Sequence, residues 1–238
     1  AIDSVPVIMT QTGIIPTGIE FMDQLSIRTT SDYLDEKKLH KDCGAVLIIE
    51  VDGSEPDLVR EDCLKIGELC LERGALDALV AEGPADQERI WKLRKHAAEA
   101  FKAISPHQSV EDIVVPISAI PALVYKLELL AADYNVVIPC YGHAGDGNLH
   151  ATIIKKPETI LDDWHTLLPR LLTDLYCQVS QLGGTISGEH GIGHKRKDYL
   201  PLVLGRNEIR TMALIKKALD PLNILNPGKI FDFNLERL

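Results

Sequence analysis

The stretch Val136–Ile154, VVIPCYGHAGDGNLHATII, places two apolar runs around a glycine-rich centre, and its reading decides the fold. Asp146-Gly147 between such runs is a strong hairpin signal, because a type I′ turn needs φ > 0 at both central residues. The spacing therefore predicts a strand over Val136–His143, a two-residue turn, and a return strand over Asn148–Ile154. In that register His143 faces His150, and directly opposed residues share one face with Cβ atoms about 4.5–5.5 Å apart. Tyr141 and Thr152 fall on the same face. Two imidazoles so placed can both reach one metal ion, or they can simply bond to backbone or to each other.

Working outward, Asp112–Pro116 reads as a strand and Ser118 as the N-cap of a helix through Ala132, with Ile120, Leu123, Leu127 and Leu130 inward. After the hairpin, a long helix is expected from about Thr159 to Leu182, kinked at Pro169. A last strand near Gly184–Ser187 would complete the ferredoxin-like β-α-β-β-α-β order. The first half has similar pieces. Ala45–Val51 reads as a strand, Pro56–Arg73 as a helix closed by Gly74, Leu76–Ala81 as a strand, and Gly83-Pro84 opens a helix to about Ile104. Before them, Gly18–Leu25 reads as a short amphipathic helix with Ile19, Phe21, Met22 and Leu25 apolar. The fold class expected is α+β: an antiparallel sheet with helices packed on it, the ferredoxin-like unit duplicated. A final helix, Asn207–Leu219, hands over to a tail carrying Asn226-Pro227-Gly228.

Composition narrows the function. The 238 residues are 45% hydrophobic and 25% charged, ordinary for a globular chain with one large core or two small ones. A net charge of -10 argues against nucleic acid and anionic membrane surfaces as partners. No apolar run approaches the roughly 18–20 residues of a membrane span. Five cysteines without a CxxC pair form neither a disulfide framework nor a zinc finger, which fits a reducing compartment. The expected location is cytoplasmic, or peripheral to the membrane. The chain starts without methionine, as a processed N-terminus or a domain of a longer protein would.

Two further segments carry chemistry. Gly183–His194, GGTISGEHGIGH, packs Glu189 and His190 among glycines, so another chain or a ligand can approach closely. Glu189 can serve as a third metal ligand, or it can pair with Lys195 or Arg196. A histidine beside a metal but not ligated is a natural general base. In the helix stripe Ile90, Arg94, Ala97, Phe101, an arginine stands where an apolar residue is expected. Its fork needs an anion, either a substrate carboxylate or an internal Glu. Neither GHAGDG nor GEHGIG follows the G-x-G-x-x-G pattern of a dinucleotide site.

Taken together, GHAGDGNLH, SGEHGIG, DIVVP before a helix and the closing ALDPLNILNPGKIF resemble the C-terminal domain of FAD-linked oxidases of the vanillyl-alcohol-oxidase type. Among these the similarity is to the D-lactate dehydrogenase, glycolate oxidase D-subunit and D-2-hydroxyglutarate dehydrogenase group, over nearly all of residues 1–238. The resemblance implies a substrate-binding cap half, with an N-terminal FAD-binding domain of the same protein absent from this chain. It implies that His143, His150 and Glu189 hold a divalent metal, zinc first, and that His190 takes the hydroxyl proton while a hydride passes to FAD. Arg94 would hold the substrate carboxylate, Asn148 would bond substrate or flavin edge, and Asn226 and Lys229 would lie near the flavin. Ala98 and Val110 stand where relatives acting on longer dicarboxylates carry a hydroxyl residue and a lysine. Both departures favour a small 2-hydroxy acid such as D-lactate or glycolate. The remaining partner would be an electron-acceptor protein or a quinone. Two other classes stay open: a metal-binding ferredoxin-like module without catalysis, and a metal-dependent hydrolase using the same His/His/Glu set.

Overall fold

The computed structural model describes residues 1–36 and 43–231. Helix α1 (Ser4–Gln11) leads into strand β1 (Gly18–Asp23), helix α2 (Gln24–Tyr33) and strand β2 (Ala45–Glu50). Helices α3 (Pro56–Glu72) and α4 (Pro84–Ile104) follow, then strand β3 (Gln108–Val114) and helix α5 (Ile120–Asp133). The hairpin strands are β4 (Cys140–His143) and β5 (Asn148–Ile154), and helices α6 (Leu161–Gln181) and α7 (Arg206–Leu219) complete the order. One antiparallel sheet, β2-β1-β4-β5-β3, gathers strands from both halves of the chain. The α+β class is as expected. In the second half the ferredoxin-like order is present, its last strand reduced to one antiparallel bridge between Thr185 and Val114.

Each face of the sheet has its own helical cover. On one face, α5 and α6 bring Leu123, Leu127, Leu171, Leu175 and Val179 against Ile19, Phe21, Leu149 and Ile153. On the other, Ile27 of α2 and Ala97 and Phe101 of α4 pack on Met22, Tyr141 and Ile154. The stripe read from Ala97 and Phe101 thus faces the sheet, which aims Arg94 at the strand surface.

Three expectations need correction. Gly18–Leu25 is not a helix: Gly18–Asp23 is strand β1, and helix α2 starts only at Gln24. As a central strand with neighbours on both edges and helices on both faces, β1 buries Ile19 through Met22 and shows no alternation to read. Leu76–Ala81 is an irregular exposed link between α3 and α4, with Leu76 84% exposed, because no strand pairs with it among the described residues. The hairpin turn is four residues, Ala144–Gly147, rather than two. Gly145 N–H donates to Ile19 O of β1 (3.0 Å) and Asn148 N–H to the Asp146 side chain (3.0 Å), so both halves of a tight I′ turn are engaged elsewhere. Among the described residues no helix is long and apolar enough to cross a membrane.

Candidate active site

The corrected register sets the site on two adjacent rungs of the ladder. One rung runs Asp112–His150–Tyr141–Met22 across β3, β5, β4 and β1. The next runs Val114–Asn148–His143–Glu20. Residues two apart along a strand share a face, so all eight side chains point the same way. The register differs from the expected one by two positions, and an even offset keeps every side chain on its face. His143 is therefore the diagonal neighbour of His150 rather than its opposite, with ring centroids 5.9 Å apart.

The Gly188–His190 loop closes over the β3–β5 end of this face. Asp112, fully buried, holds it through one carboxylate oxygen. Oδ2 accepts from Ser187 Oγ (3.0 Å) and from the backbone N–H of Gly188 (2.9 Å), Glu189 (2.9 Å) and His190 (2.7 Å). Burial pushes the Asp112 carboxyl up, but these donors outweigh it and leave the group below the usual carboxylate range. Close approach also requires Gly188, since a Cβ there would lie 2.6 Å from Asn148 Nδ2. Behind the same loop, buried Glu111 pairs with Lys195 Nζ (2.7 Å) and lies 3.6 Å from Arg196 Nε. Successive residues of β3 thus clamp the segment from both faces of the sheet. Lys195 and Arg196 are taken up by Glu111, so the alternative pairing of Glu189 with them is not the one found.

Within this clamp Glu189 Oε1 lies 3.3 Å from His150 Nε2 and 3.5 Å from His190 Nε2. The His150 and His190 rings stack, centroids 5.2 Å apart and 3° from parallel. Donor atoms of Asp112, His150, Glu189 and His190 all lie within 4.8 Å of one another. Two ligands of a tetrahedral ion with bonds of 2.0–2.1 Å sit about 3.4 Å apart, so the His150–Glu189 pair fits such an ion. Burial above all, helped by the Arg94 and His190 charges nearby, pushes the His150 imidazole down to about 4, which keeps it neutral and able to ligate. His143, expected as a ligand, stands outside this four-residue group. Its Nδ1 is bonded to Glu20 Oε1 at 2.5 Å.

Glu20 is the site residue the sequence reading missed. It is 5% exposed, and its second oxygen accepts from Arg94 Nε at 2.6 Å. Arg94 in turn lies over the Tyr141 ring, 4.8 Å from its centroid, and makes no other hydrogen bond among the described residues. Both anions weighed for Arg94 can thus be served: Glu20 takes Nε, and the terminal nitrogens are left for a ligand. The signal that could have found Glu20 is a lone acid inside the apolar run IEFM, costly in a strand unless paired. Burial pushes the Tyr141 phenol up, so it keeps its proton rather than accepting one. Asn148 is 6% exposed and its Oδ1 has no hydrogen-bond partner among the described residues.

Residues 1–230 match the family described as FAD linked oxidases, C-terminal domain. The chain belongs to that family. It is 36% identical over 220 residues to glycolate oxidase subunit GlcD of Escherichia coli (strain K12), covering 91% of this chain and 43% of that protein. It is 33% identical over 220 residues to D-lactate dehydrogenase of Anaerostipes hadrus, covering 90% of this chain and 46% of that protein. The chain therefore spans less than half the length of these relatives. Among solved structures, p-cresol methylhydroxylase with substrate bound superposes with a TM-score of 0.65 at 12% identity, over 98% of this chain and 51% of that one, a likeness of fold.

In this FAD-linked oxidase domain the tail is tied to the glycine-rich segment just beyond the Gly188–His190 loop. Ile230 N–H donates to Gly193 O at 2.7 Å, and Asp220 accepts from the N–H of Ile224 (3.1 Å) and Leu225 (2.9 Å). Asn226 and Lys229 lie exposed on that tail, beside an open cleft of about 410 Å³ that Met212, Ile215 and Phe231 also line. Neither side chain is hydrogen-bonded to Arg94 or the histidines among the described residues.

Proposed function

We propose that this chain is the substrate-binding half of an FAD-dependent 2-hydroxy-acid dehydrogenase or oxidase, with D-lactate or glycolate as the substrate class. The observation that carries the reading is one sheet face holding an anion-ready arginine, a His/Glu ligand pair and a second histidine beside it. Arg94, steadied by Glu20 and Tyr141, offers its terminal nitrogens to the substrate carboxylate as a fork. One helical turn on, Ala98 offers only a methyl group, so nothing there would hold a second carboxylate. His190, its backbone fixed by Asp112, accepts the C2 hydroxyl proton at Nε2. The two electrons leave C2 with its hydrogen as hydride, and the product is the 2-oxo acid. FAD, held by a separate half of the protein, supplies the hydride acceptor when bound. His143, His150 and Glu189 would hold a divalent ion, zinc in this reading, which supplies Lewis-acid stabilisation of charge on the hydroxyl oxygen. Asn148 would bond substrate or flavin edge, a role supported by its buried Oδ1, which has no partner among the described residues.

Anaerobic stopped-flow reduction of the FAD-bearing holoenzyme tests this. D-lactate or glycolate should reduce the flavin, and His190→Asn should slow that step by roughly 10²–10⁴-fold while leaving substrate affinity nearly unchanged. Wild-type rates in His190→Asn would move the base elsewhere, and absence of reduction by either acid would overturn the substrate class.

A further inference from the structure

Glu20 stands between the two groups to which the reading above assigns opposite ends of the substrate. It lies on the same rung as His143, directly across the β1–β4 pair. Its Oε1 meets His143 Nδ1 at 2.5 Å and its Oε2 meets Arg94 Nε at 2.6 Å, and it is 5% exposed. A guanidinium has no acceptor to offer, and a carboxylate paired with one accepts only. The proton in the Glu20–His143 bond therefore sits on His143 Nδ1. A neutral imidazole protonated at Nδ1 carries its free lone pair on Nε2. The same carboxylate takes up Arg94 Nε, and the terminal nitrogens make no hydrogen bond among the described residues.

We propose that Glu20 is a positioning residue that holds His143 in the tautomer with Nε2 free to ligate, and holds Arg94 with its terminal nitrogens free for an anion. Both of its carboxylate oxygens are engaged by these two partners. Its action runs through His143 and Arg94, and it keeps the hydroxyl and carboxylate ends of the site in fixed register. The ligand part rests on the function proposed above, whereas the tautomer assignment stands on the hydrogen bonds alone.

Glu20→Gln gives a sharp test because it keeps the shape and reverses one hydrogen bond. The amide oxygen continues to accept from Arg94, so the amide nitrogen turns to His143 Nδ1, which must then accept. The ring proton moves to Nε2 and the ligand nitrogen is lost. Ring ¹⁵N spectra of the 238-residue chain without metal should show His143 protonated at Nδ1 in the wild type and at Nε2 in Glu20→Gln. Zinc affinity, measured by competition with a chelator, should fall about 10–100-fold in Glu20→Gln, as for loss of other carboxylate partners of ligating histidines. Glu20→Asp keeps the charge and should keep the Nδ1 tautomer, with an affinity between the two. A wild-type ring protonated at Nε2 overturns the proposal without recourse to a variant, and so does an unchanged tautomer in Glu20→Gln. If the tautomer switches but the wild type takes up no zinc, the metal assignment fails and the role of Glu20 stands.

Discussion

His150 and His143 lie on one face of the hairpin but in different company. His150 is 5% exposed, faces Glu189 at 3.3 Å, and its Nδ1 points at Asp112 Oδ1 from 3.9 Å. His143 is more open and leans on Glu20. Under the proposed function, gently purified chain should carry about one zinc, and both His150→Ala and His143→Ala should lose it. His190→Ala should keep it, because a base is no ligand. Elemental analysis of the three variants decides between His143 and His190 as the third ligand, which the 4.8 Å grouping of His190 with His150 and Glu189 makes a real contest. Zinc retained by His143→Ala and lost by His190→Ala would exchange their roles.

The Gly188–His190 loop has no regular secondary structure, yet Asp112 of β3 orders it by accepting from its three backbone N–H groups and from Ser187 just before it. Asp112→Asn keeps the volume but removes the charge that these donors were arranged around. Hydrogen bonds to a charged group contribute about 1.5–3 kcal/mol. The substitution should therefore lower the melting temperature by several degrees, at roughly 2–4 °C per kcal/mol for a chain of this size. Amide exchange should quicken most at Gly188, Glu189 and His190, and flavin reduction in the holoenzyme should slow because Glu189 and His190 are no longer held in place. Unchanged protection at those three amides would show that Glu111, with Lys195 and Arg196, suffices to hold the loop from behind.

At the scale of the molecule, the chain spans 43% and 46% of the glycolate oxidase and D-lactate dehydrogenase relatives, and its sequence has no glycine-rich turn of the pyrophosphate-binding kind. Expressed alone, it should be colourless, with no flavin absorbance after purification; close to one FAD per chain would place the cofactor cradle in this half. Much of this molecule was legible in the residues. Helices α3 to α7 follow the apolar period, the His-rich hairpin joins β4 to β5, and Arg94 breaks its stripe toward the sheet as expected. Those features are local: a period of 3.6, a turn residue or an odd charge is set by neighbours a few positions away. The register of the hairpin was not local, since it depends on Ile19 of β1 accepting from Gly145. Nor was Glu20, which lies in a segment read as a helix that is in fact the interior strand β1. Its partners lie 74 and 123 residues along the chain. A buried strand with helices on both faces has no alternation to reveal it. Sequence periodicity determined which residues turn inward, whereas only the packed sheet decided which charges meet, because a buried carboxylate is tolerable only where the fold brings it its partners.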